Sequence, residues 1–283
     1  MESVYLFALN FTWQIAALAL LALGLAMVFG QLKIMNMAHG EFVMMGAYSW
    51  VLVEKFGWSP ALSVPVCIVG IGTLAFLVER VLVRHLYARP FDSLLATWAL
   101  SIILRECVEL VFGRQFYNVS LPLQGSLNFG FVSYPAYRIL VIVCVMVVFA
   151  GLWFYYRNSR LGLRLRAMVE NPNLAQAHGI NTTRLSTSVF VLGCIFAGLA
   201  GLILAPTLSV YPSMGIDALI RSFFALIIGG LGSLEGLAIG TTIVSGMQSG
   251  LSAVFSQTVG YLGVLVLAVI FIWRRPNGLY TPR

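Results

Sequence analysis

Five long apolar runs constrain the fold of this chain more than any other feature of its sequence. Each is nearly free of charge, and lipid requires such a segment to satisfy its backbone hydrogen bonds internally, as an α-helix does. Of the 283 residues 60% are hydrophobic and 10% are charged, and the mean hydropathy of +0.92 implies more apolar surface than a soluble domain of this size can bury. The runs are Ile15–Phe29, Leu62–Val78, Ile139–Phe154, Leu185–Leu204 and Val259–Trp273.

These runs do not alternate polar and apolar residues as the strands of a transmembrane β-barrel do. The sequence therefore predicts an all-α, polytopic transmembrane bundle that forms one domain over residues 1–283. Segments 36–53 and 216–232 are short and contain glycines and polar residues, so we expect one or both to be broken or re-entrant. The predicted spans are 7–30, 36–53, 60–82, 92–112, 138–156, 185–206, 216–232, 234–256 and 258–273.

The positive charges of the chain predict its orientation. The formal net charge is +7, and nearly all cations lie in short loops between apolar runs, which is the positive-inside pattern and does not indicate a nucleic-acid partner. With the N-terminus outside, only Lys55, Arg114 and Arg138 are clearly external. The cytoplasmic side then holds the C-terminus and the cations Lys33, Arg80, Arg84, Arg89, Arg157, Arg160, Arg164, Arg166, Arg184, Arg274, Arg275 and Arg283.

Two segments between the spans are long enough to have structure of their own. Residues 113–138 are polar and weakly charged, and we place them outside. Residues 157–184 are strongly basic and predict a helical cytoplasmic element. Within it Asn171 followed by Pro172 is typical of an N-cap and first helical position, and Gly179 is typical of a helix C-terminus.

Polar residues interrupt the apolar sequence after the first run. The segment 30–47 contains Asn36, His39 and Glu41 close together, and such side chains are unfavourable in lipid unless they face protein or water. Asn36 is expected to cap a helix that starts just after it, with Glu41 near the positive end of the helix dipole. Two interpretations remain open: these residues, with Met37, line a solute route, or they bond neighbouring helices.

A second interruption, at 223–236, contains Gly229, Gly230, Gly232 and Ser233. Its outline resembles that of the first interruption, and paired interruptions in two halves are typical of inverted-repeat transporters whose solute route lies near the midplane. We therefore expect both segments to border one path. The glycines do not form a phosphate-binding loop, because that motif needs Gly-Lys-Ser/Thr and neither Lys33 nor Lys55 follows a glycine.

Four motifs, in order and spacing, resemble the branched-chain amino acid type of ABC importer permease, a family that includes urea and short-chain amide relatives. The resemblance covers essentially the whole chain. The motifs are Asn36-Met37-Ala38-His39-Gly40-Glu41 with Gly46-Ala47-Tyr48; Ser159-Arg160-Leu161-Gly162 with Arg166-Ala167, Glu170-Asn171, Ala175 and Gly179-Ile180-Asn181; Gly229-Gly230-Leu231-Gly232-Ser233-Leu234-Glu235-Gly236; and Arg275-Pro276-Asn277-Gly278-Leu279.

The resemblance implies a bacterial inner-membrane permease, usually paired with a second, related permease subunit. It also implies two cytoplasmic ATPases, which would bind the ATP and Mg, and a periplasmic solute-binding protein. No cofactor or metal is expected in this chain. The residues implied in coupling to the ATPases lie between 157 and 181 and include Arg160, Arg164, Arg166, Glu170, Asn171 and Gly179.

The motif around Met37 is closer to the urea and amide relatives, because phenylalanine often stands at this position in the amino acid permeases. A different functional class is an ATP-independent channel or secondary transporter for a small neutral solute. The basic element at 157–184 argues against that class, which has no need of a capped helix projecting from the membrane. A membrane enzyme is disfavoured because no nucleophile, metal cluster or paired carboxylates converge in the sequence.

Overall fold

The computed structural model describes residues 2–87, 89–129, 132–230, 232–275 and 278–280. Leu231, Pro276, Asn277 and Arg283, which the sequence analysis named, lie outside the described residues. The described chain is largely helical, with a single short β-hairpin among the described residues, which confirms the predicted all-α bundle. Its elements are α1 (Glu2–Leu32), α2 (His39–Lys55), α3 (Ser63–Val81), α4 (Pro90–Phe112), β1 (Ser126–Phe129), β2 (Val132–Pro135), α5 (Ala136–Asn158), α6 (Arg160–Glu170), α7 (Pro172–Ala177), α8 (Thr182–Leu204), α9 (Met214–Gly229), α10 (Leu234–Val254) and α11 (Gln257–Arg274), with 3-10 turns at Pro60–Leu62, Val83–Leu86 and Ala205–Thr207.

Every predicted span corresponds to a helix of the described chain. Six helical segments are long and apolar enough to cross a membrane: 3–32, 60–81, 136–158, 182–207, 234–254 and 257–274. The remaining three of the nine predicted spans correspond to α2, α9 and α4. Helices α2 and α9 have only 17 and 16 residues, and α4 carries the charged residues Asp92, Arg105, Glu106 and Glu109. At 1.5 Å per residue α2 and α9 are each about 25 Å long, shorter than a hydrocarbon core of about 30 Å.

The two ends of the bundle carry different features, and we name them accordingly. At the hairpin face, the antiparallel β1–β2 hairpin leads into α5 beside the start of α1, where Arg138 donates to the Asn10 side chain at 3.2 Å. At the basic face, α6 lies against the ends of α1 and α5, and Gln31 donates to the Tyr156 hydroxyl at 3.5 Å. The polar segment and the basic segment of the sequence therefore lie at opposite ends.

Helices α1–α4 and α8–α11 form two similarly built halves. In this pairing α1 corresponds to α8, α2 to α9 and α3 to α10. Helix α2 packs on α8 and α9, and its counterpart α9 packs on α1 and α2; likewise α3 packs on α8, and α10 packs on α1. The first turns of α2 and α9 touch inside the bundle, where a Cβ on Gly40 would lie 2.6 Å from the carbonyl carbon of Gly215. Because α2 runs to the hairpin face and α9 to the basic face, the halves are inverted, as predicted.

The correspondence between the halves differs from the one expected. The interruption at 33–38, after α1, matches the segment at 205–213, after α8. The break at Gly229–Gly232 separates α9 from α10 and so matches the loop at 56–62. The likeness of the two glycine-containing segments in sequence therefore reflects close backbone packing at each of them and not equivalent positions in the repeat.

Glycines hold the centre of the bundle together. The sequence shows a small-residue face on α8, and the structure packs this face against α1 and α2. A Cβ on Gly24 would lie 3.0 Å from the backbone nitrogen of Ala197, and one on Gly201 would lie 2.7 Å from the carbonyl carbon of Val43. Main chain therefore meets main chain at these crossings, which only small residues allow.

Candidate functional site

The segment that connects α1 to α2 returns into the bundle. Lys33 follows the end of α1 in the left-handed region, with φ of 55°, and the chain then runs without helix to residue 38. The ring Nε2 of His39 lies 2.9 Å from the carbonyl oxygen of Leu21. Leu21 precedes the end of α1 by eleven residues, about 16 Å along the axis. Helix α2 therefore begins deep within the bundle.

Asn36 bonds next to the helix start without being its N-cap. The N-cap is Ala38, whose backbone N–H donates to Asn36 Oδ1 at 3.1 Å, and the side chain of Asn36 faces Cys194 with Nδ2 at 3.9 Å from Sγ. The helix starts two residues later than expected because Asn36 forms a side-chain turn with Ala38 first. Glu41 lies in the first turn of α2, as predicted.

The polar groups around the start of α2 are buried and mostly bonded to neighbouring helices. Asn36, His39 and Glu41 are each no more than 2% exposed. Ser101 on α4 donates to Glu41 Oε1 at 3.1 Å, whereas Glu41 Oε2 has no partner among the described residues. The backbone N–H of Met37 donates to Thr97 Oγ1 at 3.1 Å. These contacts tie the segment to α1, α4 and α8.

A small cavity adjoins Asn36 and Met37 on the side of α9. Its volume is about 10 Å³, enough for one water molecule. It lies between α1, the connecting segment and the inner part of α9, and its lining residues are Leu25, Phe29, Met35, Asn36, Met37, Leu219, Phe223 and Leu226. The cavity is the place where the polar connecting segment and α9 leave space between them.

The glycine break after α9 lies at the basic face. Gly230 and Gly232 have φ of 118° and 103°, which L side chains rarely adopt. The backbone N–H groups of Leu279 and Tyr280 donate to the carbonyl oxygens of Ile228 and Gly229 at 3.1 and 3.0 Å, so residues after α11 satisfy the end of α9.

Ser233 connects this break to α10. It is the N-cap of α10, and its Oγ accepts from the backbone N–H of Gly236 at 2.9 Å. A Cβ on Gly30, near the end of α1, would lie 2.8 Å from Gly232 Cα. The neighbours of the break thus include Gly30, Gly236, Gly278 and Tyr280. The structure does not bring the glycine break together with His39 and Glu41. These two residues lie where the first turns of α2 and α9 meet, whereas the break follows the last turn of α9.

The basic element at the same face has the predicted caps. Asn171 Oδ1 accepts from the backbone N–H of Leu174 at 3.0 Å, Pro172 is the first helical residue of α7, and Gly179 follows it with φ of 79°. Ser159 caps α6 in the same way, accepting from Gly162 N–H at 2.9 Å. A helical pair with its own caps is a defined element and not a flexible linker.

The exposed surface of this pair is both basic and apolar. Arg160, Arg164, Arg166 and Glu170 are exposed, and Leu161, Leu163 and Leu174 have 43%, 63% and 57% of their surface exposed. Arg166 also donates to the Arg157 carbonyl at 3.2 Å and lies over the Tyr156 ring, so it stabilises the element as well.

Sequence reasoning missed two charged residues on α9, Asp217 and Arg221. They are four residues apart and so lie on one side of the helix. Tyr211 donates to Asp217 Oδ2 at 2.8 Å, and Arg221 bonds the hydroxyl of Tyr261 on α11 with its guanidinium over that ring. The signal was present in the sequence, because both charges fall within the predicted span 216–232.

The model of one protein family, described as the permease component of a branched-chain amino acid transport system, matches residues 7–273. The chain belongs to this family. The branched-chain amino acid permease BraD of Pseudomonas aeruginosa is 29% identical over 92% of this chain and 90% of its own length, and LivH of Escherichia coli is 30% identical over 90% of this chain and 87% of its own.

A solved structure shows the same fold. PsaBC from Streptococcus pneumoniae in complex with Fab matches with a TM-score of 0.55 at 12% identity, covering 96% of this chain and 92% of that one. Membership of the branched-chain amino acid permease family confirms the resemblance drawn from the motifs and makes this chain a multi-pass permease of the inner membrane. Both relatives reported above are named for branched-chain amino acids. The preference for urea or amides that was drawn from Met37 stays a prediction.

Proposed function

We propose that this chain is one permease subunit of an ATP-driven importer for branched-chain amino acids. The observation that carries the proposal is the family match over residues 7–273, which spans the inverted halves together with the α6–α7 element. An ATP-independent channel is disfavoured by the same element. In this assignment the basic face is cytoplasmic and the hairpin face is external, so that the N-terminus is outside and the C-terminus is cytoplasmic.

The proposed partners follow from the two faces. A second, related permease subunit completes the membrane part, a periplasmic solute-binding protein docks on the hairpin face, and two ATPases, which bind ATP and Mg, dock beneath the basic face. This chain contributes no ATPase site of its own. Leu161, Leu163 and Leu174 support the ATPase contact, because exposed leucines outside the membrane suit a protein interface. Arg160, Arg164 and Glu170 supply charge to that contact, while Asn171 and Gly179 fix the shape of the element.

We further propose that α9 follows the translocation route from the interior of the bundle to the basic face. Asn36 and Met37 border the route at the small cavity beside α9. His39 and Glu41 hold this segment in place through their hydrogen bonds with the Leu21 carbonyl and the Ser101 hydroxyl. Gly229, Gly230, Gly232 and Ser233 form the cytoplasmic end of the route, where α9 ends and the backbone turns.

The function is tested by uptake of radiolabelled leucine into proteoliposomes containing this permease, its partner permease, the ATPases and the binding protein. We expect accumulation that requires ATP and every subunit, and competition by isoleucine and valine but not by urea or acetamide. Accumulation by this chain alone would contradict the importer assignment, and competition by urea instead of the amino acids would reassign the solute.

The same assay tests the docking element. Arg164→Glu is expected to reduce coupled uptake at least about tenfold, because reversing an exposed interface charge weakens pairing more than folding. The matched control is Arg89→Glu, a charge reversal at an exposed position outside α6 and α7. Normal uptake by Arg164→Glu, with normal ATPase retention on co-purification, would place the docking contact elsewhere.

The route is tested by cysteine labelling in a background lacking Cys67, Cys107, Cys144 and Cys194. Met37→Cys and Ser233→Cys are expected to react with a small membrane-impermeant thiol reagent at rates that change when ATP is added to the assembled importer. Ala75→Cys is the control, because Ala75 is completely buried on α3, away from the proposed route. Complete protection of Met37→Cys in every state would place the segment in dry helix packing.

A further inference from the structure

Two opposite charges lie on an open side of α9 within the membrane-spanning bundle. Asp217 is exposed and Arg221 is partly buried. The residues beside them on the same open side are Ile216 and Ile220, which are 38% and 45% exposed. The depth of the pair follows from Gly215, which packs against Gly40 at the inner start of α2. These charges therefore lie below the hairpin face and not in an external loop.

Lipid is an unsuitable environment for this surface. A charged side chain at membrane depth is strongly unfavourable in contact with lipid, so Asp217 and Arg221 have to face water or protein. Among the described residues neither charge has an ion-pair partner, and their side-chain partners are the neutral hydroxyls of Tyr211 and Tyr261. Each charge keeps hydrogen-bonding capacity for a further group, since a carboxylate accepts several bonds and a guanidinium donates five.

We propose that Asp217, Arg221, Ile216 and Ile220 form a contact site for the zwitterion of a branched aliphatic amino acid. This inference rests on the proposed function and deepens it. The Asp217 carboxylate binds the α-ammonium group, and the Arg221 guanidinium binds the α-carboxylate with two parallel hydrogen bonds. Residues four apart on a helix have Cβ atoms about 6 Å apart, a spacing that long side chains close around an amino acid backbone.

The apolar and aromatic neighbours complete the match to this class of solute. Ile216 and Ile220 offer a branched surface to an aliphatic side chain. Tyr211 and Tyr261 hold the two charges in place, so that Asp217 and Arg221 stay apart and do not pair with each other. A solute with one charge, or with none, leaves at least one of these groups unpaired, which disfavours it.

The test measures protection of a cysteine at the site and does not depend on transport. Ile220→Cys in the cysteine-free assembled importer is labelled with a membrane-impermeant thiol reagent in the presence of leucine, leucinamide or 4-methylpentanoate. We expect leucine to slow labelling, and the two analogues, which lack the carboxylate and the ammonium group respectively, to require at least about tenfold higher concentration. Asp217→Asn and Arg221→Gln are each expected to shift leucine protection by a similar factor, and Arg80→Gln, a charge change at an exposed position near the end of α3, to leave it unchanged.

Each outcome decides the proposal. Equal protection by leucine and both analogues, or leucine protection that survives Asp217→Asn and Arg221→Gln, would overturn the zwitterion site. Loss of assembly with the second permease in both variants, measured by co-purification, would also overturn it and show that the charges pair across the subunit interface. Leucine uptake by the unlabelled wild-type importer is measured in parallel, so that a failure of the proposed function is seen independently of a failure of this site.

Discussion

Replacing Gly201 by alanine is expected to destabilise the bundle by about 3 kcal/mol, the upper end of the usual range for overpacking. An added Cβ would overlap the carbonyl oxygen of Val43 and lie 3.2 Å from the backbone nitrogen of Ala47. Both obstacles are main chain of α2, which cannot rotate aside as a side chain would. Because α2 packs on both α8 and α9, displacement of α2 should reduce packing in the second half of the bundle as well.

The measurement is the midpoint of unfolding of the detergent-solubilised chain, followed by loss of helical circular dichroism. Gly151→Ala on α5 is the matched control, because a Cβ there meets nothing within 4 Å. In a helix alanine is favoured over glycine by up to about 1 kcal/mol, so the control is expected to be neutral or slightly stabilising. An equal response of the two variants would show that the α2–α8 crossing is loose enough to absorb a methyl group.

Removing the arginine of the Glu79–Arg84 pair is expected to cost about 3 to 5 kcal/mol of stability. Glu79 is completely buried at the end of α3, and its Oε2 lies 3.2 Å from Arg84 Nη2. The hydroxyl of Tyr87 donates to Oε1 at 3.1 Å, and Arg84 also donates to Thr187 on α8 at 3.1 Å. Arg84→Met leaves the carboxylate without a compensating charge and releases the link to α8.

A second substitution and a surface pair separate charge from packing. Adding Glu79→Gln to Arg84→Met is expected to recover much of the loss, because no buried charge is then left unpaired. Arg89→Met removes one partner of the exposed Arg89–Asp92 pair, whose N–O distance is 3.7 Å, and is expected to cost at most about 1 kcal/mol. Similar unfolding midpoints for Arg84→Met and Arg89→Met would mean that the buried ion pair contributes no more than a surface pair.

The helices could be predicted from the sequence because lipid leaves few alternatives for an apolar run. The two spans that depart from a full membrane crossing could also be predicted, because the glycines and polar residues at 36–53 and 216–232 indicated interrupted segments, and these are the short helices α2 and α9. The caps of α7 were predictable for a different reason: Asn171, Pro172 and Gly179 act locally, through their own backbone and side-chain bonds.

The arrangement of the helices was not predictable in the same way. A small-residue face on α8 shows that some helix packs closely there, but it does not say that the partners are Gly24 on α1 and Val43 on α2. A route bordered by both Asn36 and Gly229–Gly232 stays a prediction, but the sequence could not show that the two segments lie at different depths, because glycine breaks look alike in sequence whatever their depth. Asp217 and Arg221 were missed because the charges were used only to orient the chain, by counting the cations in the loops. For charges within a helix such as α9, the useful information is which side of the helix they occupy.

The bonds from Leu279 and Tyr280 to the end of α9 bear on how the protein is made. During translation α9 is synthesised about fifty residues before these two donors. The last carbonyl groups of α9 therefore lack these hydrogen bonds while α10 and α11 are inserted. The newly synthesised bundle thus reaches its final hydrogen bonding only when residue 280 leaves the ribosome. A nascent chain stalled before that point should expose this helix end to proteases, whereas the full-length product should protect it.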